Sequence, residues 1–174
     1  MIWPFAHLWD AAPTFEAFVA ASKAHGELWA SVRRTARVGD ALVAQAAALA
    51  PGLRLVAIVE DWCGDAANTI PVLAALVERL NGVELRLVRR DEHPDLMDRY
   101  LTGTARSIPI VIVLTDAMEE LGRWGPRPAE LQAWVMEKKR AGAGREIYPE
   151  IRRWYAQDKG ESTLREIIQI VAGR

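Results

Sequence analysis

The sequence predicts an α/β fold in which helices flank a central mixed sheet. Apolar runs of strand length lie at 53–59, 83–88 and 108–114. Between the first two runs, residues 66–80 place apolar side chains at the spacing of one helix face. The full order of strand, helix, strand, helix, strand, strand and helix is typical of α/β proteins.

The first apolar run and the helix after it are expected to form the centre of the fold. Residues 53–59 are interrupted only by Arg54, which favours a buried strand. Pro71 lies inside the helix at 66–80 and is expected to kink it, because proline lacks an N–H group and its ring crowds the preceding turn. The turn at 61–65 then lies at the carboxyl end of a central strand, where open α/β sheets place their sites.

Helices are also expected on both sides of this centre, with breaks near Gly26, at Pro51–Gly52 and at Gly160. The further elements are helices at 14–37, 41–50, 94–101, 128–140 and 145–172, and a short strand at 121–124. The predicted units are an N-terminal helical extension at 1–37 that packs on the core, a core domain at 38–140 and a C-terminal helical extension at 141–174.

Composition excludes several classes of protein. The 174 residues include 22 Lys and Arg against 23 Asp and Glu, for a formal net charge of −1. This balance gives no electrostatic reason to expect a nucleic acid partner, because duplex binding depends on surplus basic residues. The single cysteine excludes an internal disulfide and a zinc site built from several thiolates, and it suits a reducing compartment.

The sequence also predicts a cytoplasmic protein without a membrane partner. The apolar N-terminal segment lacks a basic region, and Asp10 and Pro13 interrupt it, so it does not resemble a signal peptide. The longest apolar stretch, at 41–50, is too short to cross a bilayer.

Cys63 is the candidate reactive residue of this sequence. It stands at or just before the first turn of the predicted helix, where unpaired backbone N–H groups stabilise a thiolate. Gly64 leaves room beside the sulfur for the backbone of another molecule. The flanking carboxylates of Glu60, Asp61 and Asp65 oppose ionisation, so we expect weak activation of the thiol.

Arg106 is a candidate compensating charge for this thiol if the fold brings it close. Arg106, Arg123 and Arg127 are otherwise interpreted, with Trp124, as part of a solvent-facing edge, and the alternative is a recognition patch beside the cleft. Asp61 and Asp65 are expected to act mainly as helix caps and dipole partners, with proton transfer to or from the sulfur as a secondary role. No metal site is predicted, because these carboxylates have no histidine nearby in the sequence.

The segment at 60–66, EDWCGDA, resembles the active-site turn of thioredoxins, usually written W-C-G-P-C. Trp62, Cys63 and Gly64 match it, and Pro71 matches the proline that kinks the thioredoxin active-site helix. The resemblance spans about residues 38–140, and it is to a bacterial branch with an extended helical N-terminus and an aspartate in the turn.

Later segments carry the same resemblance. The stretch ending in Ile108-Pro109 is similar to the one whose cis-proline faces the active-site cysteine, and Trp124-Gly125 falls in the last hairpin strand. The resemblance implies a thioredoxin fold with added helices and a role in thiol–disulfide exchange without a bound cofactor. It implies that Cys63 is the nucleophile and that Trp62, Gly64, Ile108 and Pro109 bind the substrate.

Three positions depart from the thioredoxin pattern. Ala66 replaces the resolving cysteine, Asp65 replaces the proline of the turn, and Ala57 replaces a buried aspartate. The resemblance therefore implies a monothiol mechanism, in which Cys63 forms mixed disulfides with a protein thiol or glutathione and needs an external thiol for release. The alternatives are a non-catalytic protein-binding module with the same fold and a dimer linked through Cys63.

Overall fold

The chain folds around a four-stranded mixed sheet in a computed structural model that describes residues 4–49 and 52–173. Its helices and strands follow in chain order: α1 Phe5–Ala11, α2 Phe15–Ala20, α3 Gly26–Thr35, α4 Asp40–Leu49, β1 Arg54–Val59, α5 Gly64–Val77, β2 Glu84–Arg89, α6 Pro94–Met97, β3 Ile110–Leu114, β4 Glu120–Trp124, α7 Ala129–Arg140, α8 Tyr148–Asp158 and α9 Glu161–Ala172. The predicted α/β class and mixed sheet are confirmed.

The sheet has the strand order β2-β1-β3-β4, with β1 and β3 at its centre. β1 pairs with β2 in parallel and with β3 antiparallel, and β3 pairs antiparallel with β4. Every residue of β3 is buried, as is every residue of β1 after Arg54. Two-sided burial explains why these strands are continuous apolar runs in the sequence.

The N-terminal helices pack against the core through aromatic side chains. Trp29 on α3 is fully buried, and its ring centroid lies 5.1 Å from that of Phe18 and 6.3 Å from that of Phe15. The indole N–H of Trp29 donates to the backbone oxygen of Asp61 at 2.9 Å. The extension therefore contacts the turn that follows β1.

The C-terminal helices divide between two clusters of buried side chains. α9 joins the main core through Leu164, Ile167 and other apolar residues, whereas α7 and α8 form a separate cluster that includes Val135 and Tyr155. α8 ends at Asp158, and Gly160, the residue that precedes α9, has a φ of +83°. A Cβ at this position would lie 2.4 Å from Val72 Cγ1 of α5, so only glycine fits.

Most predicted elements are found, with ends that differ by a few residues. α5 begins at Gly64 instead of residue 66 and contains Pro71 as predicted, and the helical stretch at 14–37 forms two helices that meet near Gly26. α1 is additional to the predicted elements. Residues 1–3, in the predicted N-terminal extension, and Ala50 and Pro51, at the predicted end of α4, lie outside the described residues.

Candidate active site

Cys63 is the N-cap residue of α5. Its backbone is extended, with φ −80° and ψ 114°, and its Sγ accepts the backbone N–H of Ala66 at 3.5 Å. The carbonyl oxygen of Cys63 accepts from Ala67 N at 3.0 Å, which begins the helix. The sulfur thus occupies the position at which helix N-termini stabilise negative charge.

The loop before β3 borders the sulfur on another side. Cys63 Sγ lies 3.6 Å from the carbonyl oxygen of Ile108, and the Ile108–Pro109 peptide bond is cis. Gly125, with φ +118°, packs against this loop, since a Cβ there would lie 2.2 Å from the Pro109 oxygen. The fold therefore brings together Cys63 and Ile108, which are 45 residues apart.

The thiol is more buried than the sequence suggests. Cys63 is 7% exposed, and this burial raises the pKa of its thiol to about 11. The N–H of Ala66 and the Arg127 guanidinium favour the thiolate, while the negative charge of Asp65 disfavours it. The sequence predicts weak activation of the thiol. In the structure, desolvation is the largest influence on the Cys63 thiol, and it makes ionisation unfavourable.

Asp65 joins three segments of the chain. Its carboxylate accepts from Arg127 Nε at 2.9 Å and Nη2 at 2.7 Å, and from the hydroxyl of Tyr155 on α8 at 2.7 Å. The Asp65 and Arg127 side chains are each 14% exposed. Arg127 is therefore not part of a solvated edge. Asp65 and Arg127 are 62 positions apart in the sequence, so no local pattern could indicate the pair.

The other sequence-predicted modulators have different partners. Arg106 lies at the surface, where it forms two hydrogen bonds to Asp98, at 2.7 and 2.8 Å. Asp61 accepts from Lys23 N at 2.9 Å and from Arg89 at 3.3 Å. Burial alone would raise the pKa of Asp61, but the Lys23 N–H and Arg89 hold it below its ordinary value.

A cleft of about 440 Å³ opens above Cys63. Trp62 forms part of its lining and is 47% exposed, with the Arg90 guanidinium 5.1 Å from its ring centroid. Gly64 borders the cleft, and a Cβ there would meet no atom within 4 Å. Ile151 and Tyr155 of α8 line the opposite part, so the C-terminal extension forms a wall of the candidate site.

The described residues show neither a group of metal-ligating side chains nor a membrane-spanning helix. Across residues 4–49 and 52–173, no three His, Cys, Asp or Glu side chains are grouped as they would be around a metal ion. In that same part of the chain, no helix has the length and apolar character needed to cross a membrane.

Comparisons with known proteins agree with this architecture. A thioredoxin of Chlamydia caviae is 34% identical over 71 residues, which span 41% of this chain and 67% of that protein. A crystal structure of a protein of unknown function from Pseudomonas aeruginosa aligns over 97% of both chains, with a TM-score of 0.78 and 23% identity. A crystal structure of an HIV epitope scaffold aligns over 98% of both, with a TM-score of 0.76 and 23% identity.

The structural likeness over nearly the whole chain, together with the family match, confirms the predicted thioredoxin fold with added helices. The sequence itself matches the family model described as Thioredoxin over residues 12–141, more than half of the chain. The match begins within the predicted N-terminal extension and ends at the close of α7. This chain belongs to the thioredoxin family.

Proposed function

We propose that Cys63 carries out thiol–disulfide exchange by a monothiol mechanism, in which an external protein thiol or glutathione completes each cycle. Membership of the thioredoxin family supports redox chemistry at the turn that carries Cys63. The whole sequence holds one cysteine, so an internal resolving thiol is excluded. A reducing compartment such as the cytoplasm supplies the external thiol.

The observation that carries this proposal is the position of the sulfur. Cys63 Sγ lies at the N-terminus of α5, 3.5 Å from Ala66 N, and at the floor of an open cleft. In this proposal Trp62, Gly64 and the Ile108–Pro109 backbone contact the incoming disulfide. The first two line the cleft, and the Ile108 oxygen lies 3.6 Å from the sulfur.

The cycle consumes one disulfide and forms another. The ionised Sγ attacks a disulfide R–S–S–R, which forms the mixed disulfide Cys63–S–S–R and breaks the original S–S bond. The departing RS⁻ takes up a proton from solvent, which balances the proton that Cys63 released to solvent when it ionised. An external thiolate R′S⁻ then attacks the sulfur of R, releasing the Cys63 thiolate and R–S–S–R′.

The raised pKa sets the pH dependence of the first step. With the pKa at about 11, only about one Cys63 in ten thousand is ionised near neutral pH. The attack rate of the resting structure is therefore expected to rise about tenfold per pH unit between neutral pH and the pKa.

A second candidate function is a binding module without turnover. The same burial and raised pKa of Cys63 favour this candidate, because a protonated thiol is a poor nucleophile. In that case the cleft binds a partner while the cysteine only fills space at its floor.

Turnover with a small neutral disulfide distinguishes the two candidates. Glutathione-dependent reduction of 2-hydroxyethyl disulfide would be measured with the wild type and with Cys63→Ser, alongside intact-mass detection of the mixed disulfide. The monothiol proposal predicts an adduct on the wild type and turnover that is lost in Cys63→Ser. A folded wild type whose rate equals the uncatalysed rate at every pH would contradict it and favour the module.

A further inference from the structure

Charge is unevenly distributed around the cleft above Cys63. Asp65 is the one acidic residue among the described residues that line it, and Arg127 and Tyr155 already occupy both carboxylate oxygens. The Asp65–Arg127 pair is therefore close to neutral as seen by a ligand. Any further charge in the cleft comes from other side chains.

Those other side chains are basic. Arg152 on α8 lines the cleft, and its guanidinium makes no hydrogen bond or ion pair with any residue the structure describes. The imidazole of His25, at the N-terminus of α3, lines the cleft as well and is likewise without a side-chain partner within 4–49 and 52–173. Two nitrogen-bearing side chains from the two extensions thus face a cleft that offers no free carboxylate.

The dimensions of the cleft favour a small ligand. Its volume of about 440 Å³ is in the range of small-molecule sites. Tyr148, Ile151 and Tyr155 of α8 line one part of it, and Cys63 at its floor is only 7% exposed. A disulfide must therefore enter the cleft to reach Cys63 Sγ. Entry is easier for a small molecule than for a disulfide on the surface of a folded protein.

We infer that this cleft selects small disulfides that carry carboxylates, with Arg152 and His25 as the groups that recognise them. The inference rests on the proposed function and names its substrate class. Bidentate guanidinium–carboxylate contacts combine attraction with orientation, which would direct the S–S bond toward Cys63. Exchange then follows the atom balance given above, with the carboxylate-bearing thiol as the leaving group.

The chain offers a matched control for Arg152. Arg153, the next residue on α8, lies in a separate groove between α7 and α8, beside Glu130 and Glu150. Arg152→Ala and Arg153→Ala therefore remove the same charge from adjacent exposed positions, but only the first changes the cleft.

The experiment compares the rate of mixed-disulfide formation with glutathione disulfide, neutral 2-hydroxyethyl disulfide and cationic cystamine, each relative to a free model thiol. We expect the wild type to prefer glutathione disulfide. Arg152→Ala should slow that reaction about five- to tenfold, while its rate with the neutral disulfide stays within about twofold. Arg153→Ala should leave both rates unchanged.

Three outcomes would overturn the inference. The first is a wild type whose relative rates with the three disulfides equal those of the model thiol. The second is an equal loss of rate with glutathione disulfide in Arg152→Ala and Arg153→Ala. The third is a faster reaction with the disulfides of insulin than with glutathione disulfide. Failure to react with any disulfide would reject the proposed function instead. In that case, NMR titration of the wild type and Arg152→Ala with unreactive S-methylglutathione decides whether the cleft binds the anion.

Discussion

Asp65 shows how one side chain determines the state of the reactive group beside it. An aspartate in the first turn of a helix is favourable for the helix dipole but unfavourable for a neighbouring thiolate. Here Arg127 compensates the carboxylate with two hydrogen bonds, so its positive charge is shared between Asp65 and Cys63. The aspartate both raises the pKa of Cys63 and engages the cation that would lower it.

Asp65→Asn is therefore expected to activate Cys63. The change removes the negative charge and leaves Arg127 without a counter-charge, and both effects favour the thiolate. The pKa of Cys63 should fall, and alkylation by iodoacetamide at mildly alkaline pH should be about tenfold faster. The measurement is the pH dependence of the alkylation rate.

Asp98→Asn is the control for Asp65→Asn. Asp98 is also paired with an arginine, Arg106, but this pair lies at the surface and does not line the cleft. Its removal should leave the alkylation profile of Cys63 unchanged. An unchanged or higher pKa in Asp65→Asn would show that the Asp65 charge does not disfavour the thiolate.

The chemistry of the turn could be predicted from the sequence, but its long-range partners could not. Cys63 at a helix N-terminus follows from local order, because the strand, turn and helix are consecutive in the chain. The carboxylate pairing of Asp65 depends on Arg127 and Tyr155, which are 62 and 90 residues away. No periodicity or motif encodes such a pair, and the contact of the Cys63 sulfur with the Ile108 carbonyl likewise joins residues 45 positions apart.

At the scale of elements, α8 distinguishes this site from a bare active-site turn. Its buried residues, including Ile151 and Tyr155, belong to a cluster with α7 that is separate from the main core. The Tyr155 hydroxyl bond to Asp65 is thus a direct link between α8 and the turn. An element held to the core by few contacts is expected to open more readily than the sheet.

Tyr155→Phe is expected to increase the opening of α8. It deletes one hydroxyl and with it a hydrogen bond to a charged group, while the ring that packs in the α7–α8 cluster remains. Amide exchange across Tyr148–Asp158 and alkylation of Cys63 should both become about five- to tenfold faster. Hydrogen exchange followed by mass spectrometry checks the first effect.

Tyr148→Phe provides the comparison on the same helix. The Tyr148 side chain also lines the cleft, but it is 49% exposed, and its hydroxyl makes no hydrogen bond among the described residues. This variant should behave as the wild type. If both variants exchange at the wild-type rate, the Tyr155–Asp65 bond does not hold α8 in place.

At the scale of the whole molecule, the fold was largely predictable because its sheet is regular. Because β1 and β3 are buried on both faces, their sequences are nearly uninterrupted apolar runs. The helix break at Gly160 was also predictable, since this position has a positive φ and no room for a Cβ beside Val72. That the N-terminal extension packs on the core was predicted, but the residues that each extension contacts were not, because helical periodicity shows that a face is buried but not what it contacts. Structures that align over 97% and 98% of this chain indicate that such extra helices are integral to the architecture.

Acid stability should depend on the contact between the N-terminal extension and the turn. The buried Asp61 carboxylate accepts from Lys23 N and Arg89, and its pKa is lower in the folded chain than in an unfolded one. A depressed pKa contributes stability that is present above the ordinary aspartate value and is lost as the pH falls through the folded one. The free energy of unfolding should therefore decline in this acidic window.

Asp61→Asn tests this contribution through urea unfolding. Near neutral pH the variant should be less stable than the wild type by about 1–3 kcal/mol, because Arg89 and the Lys23 N–H lose a buried charged acceptor. At a pH below the ordinary aspartate value the difference should shrink, because the wild type loses the same charge by protonation as the pH falls through the lowered pKa of Asp61. Asp40→Asn, at the surface pair with Arg79, should change stability little at either pH. A difference of equal size at both pH values would mean that the Asp61 charge does not hold the extension against the turn.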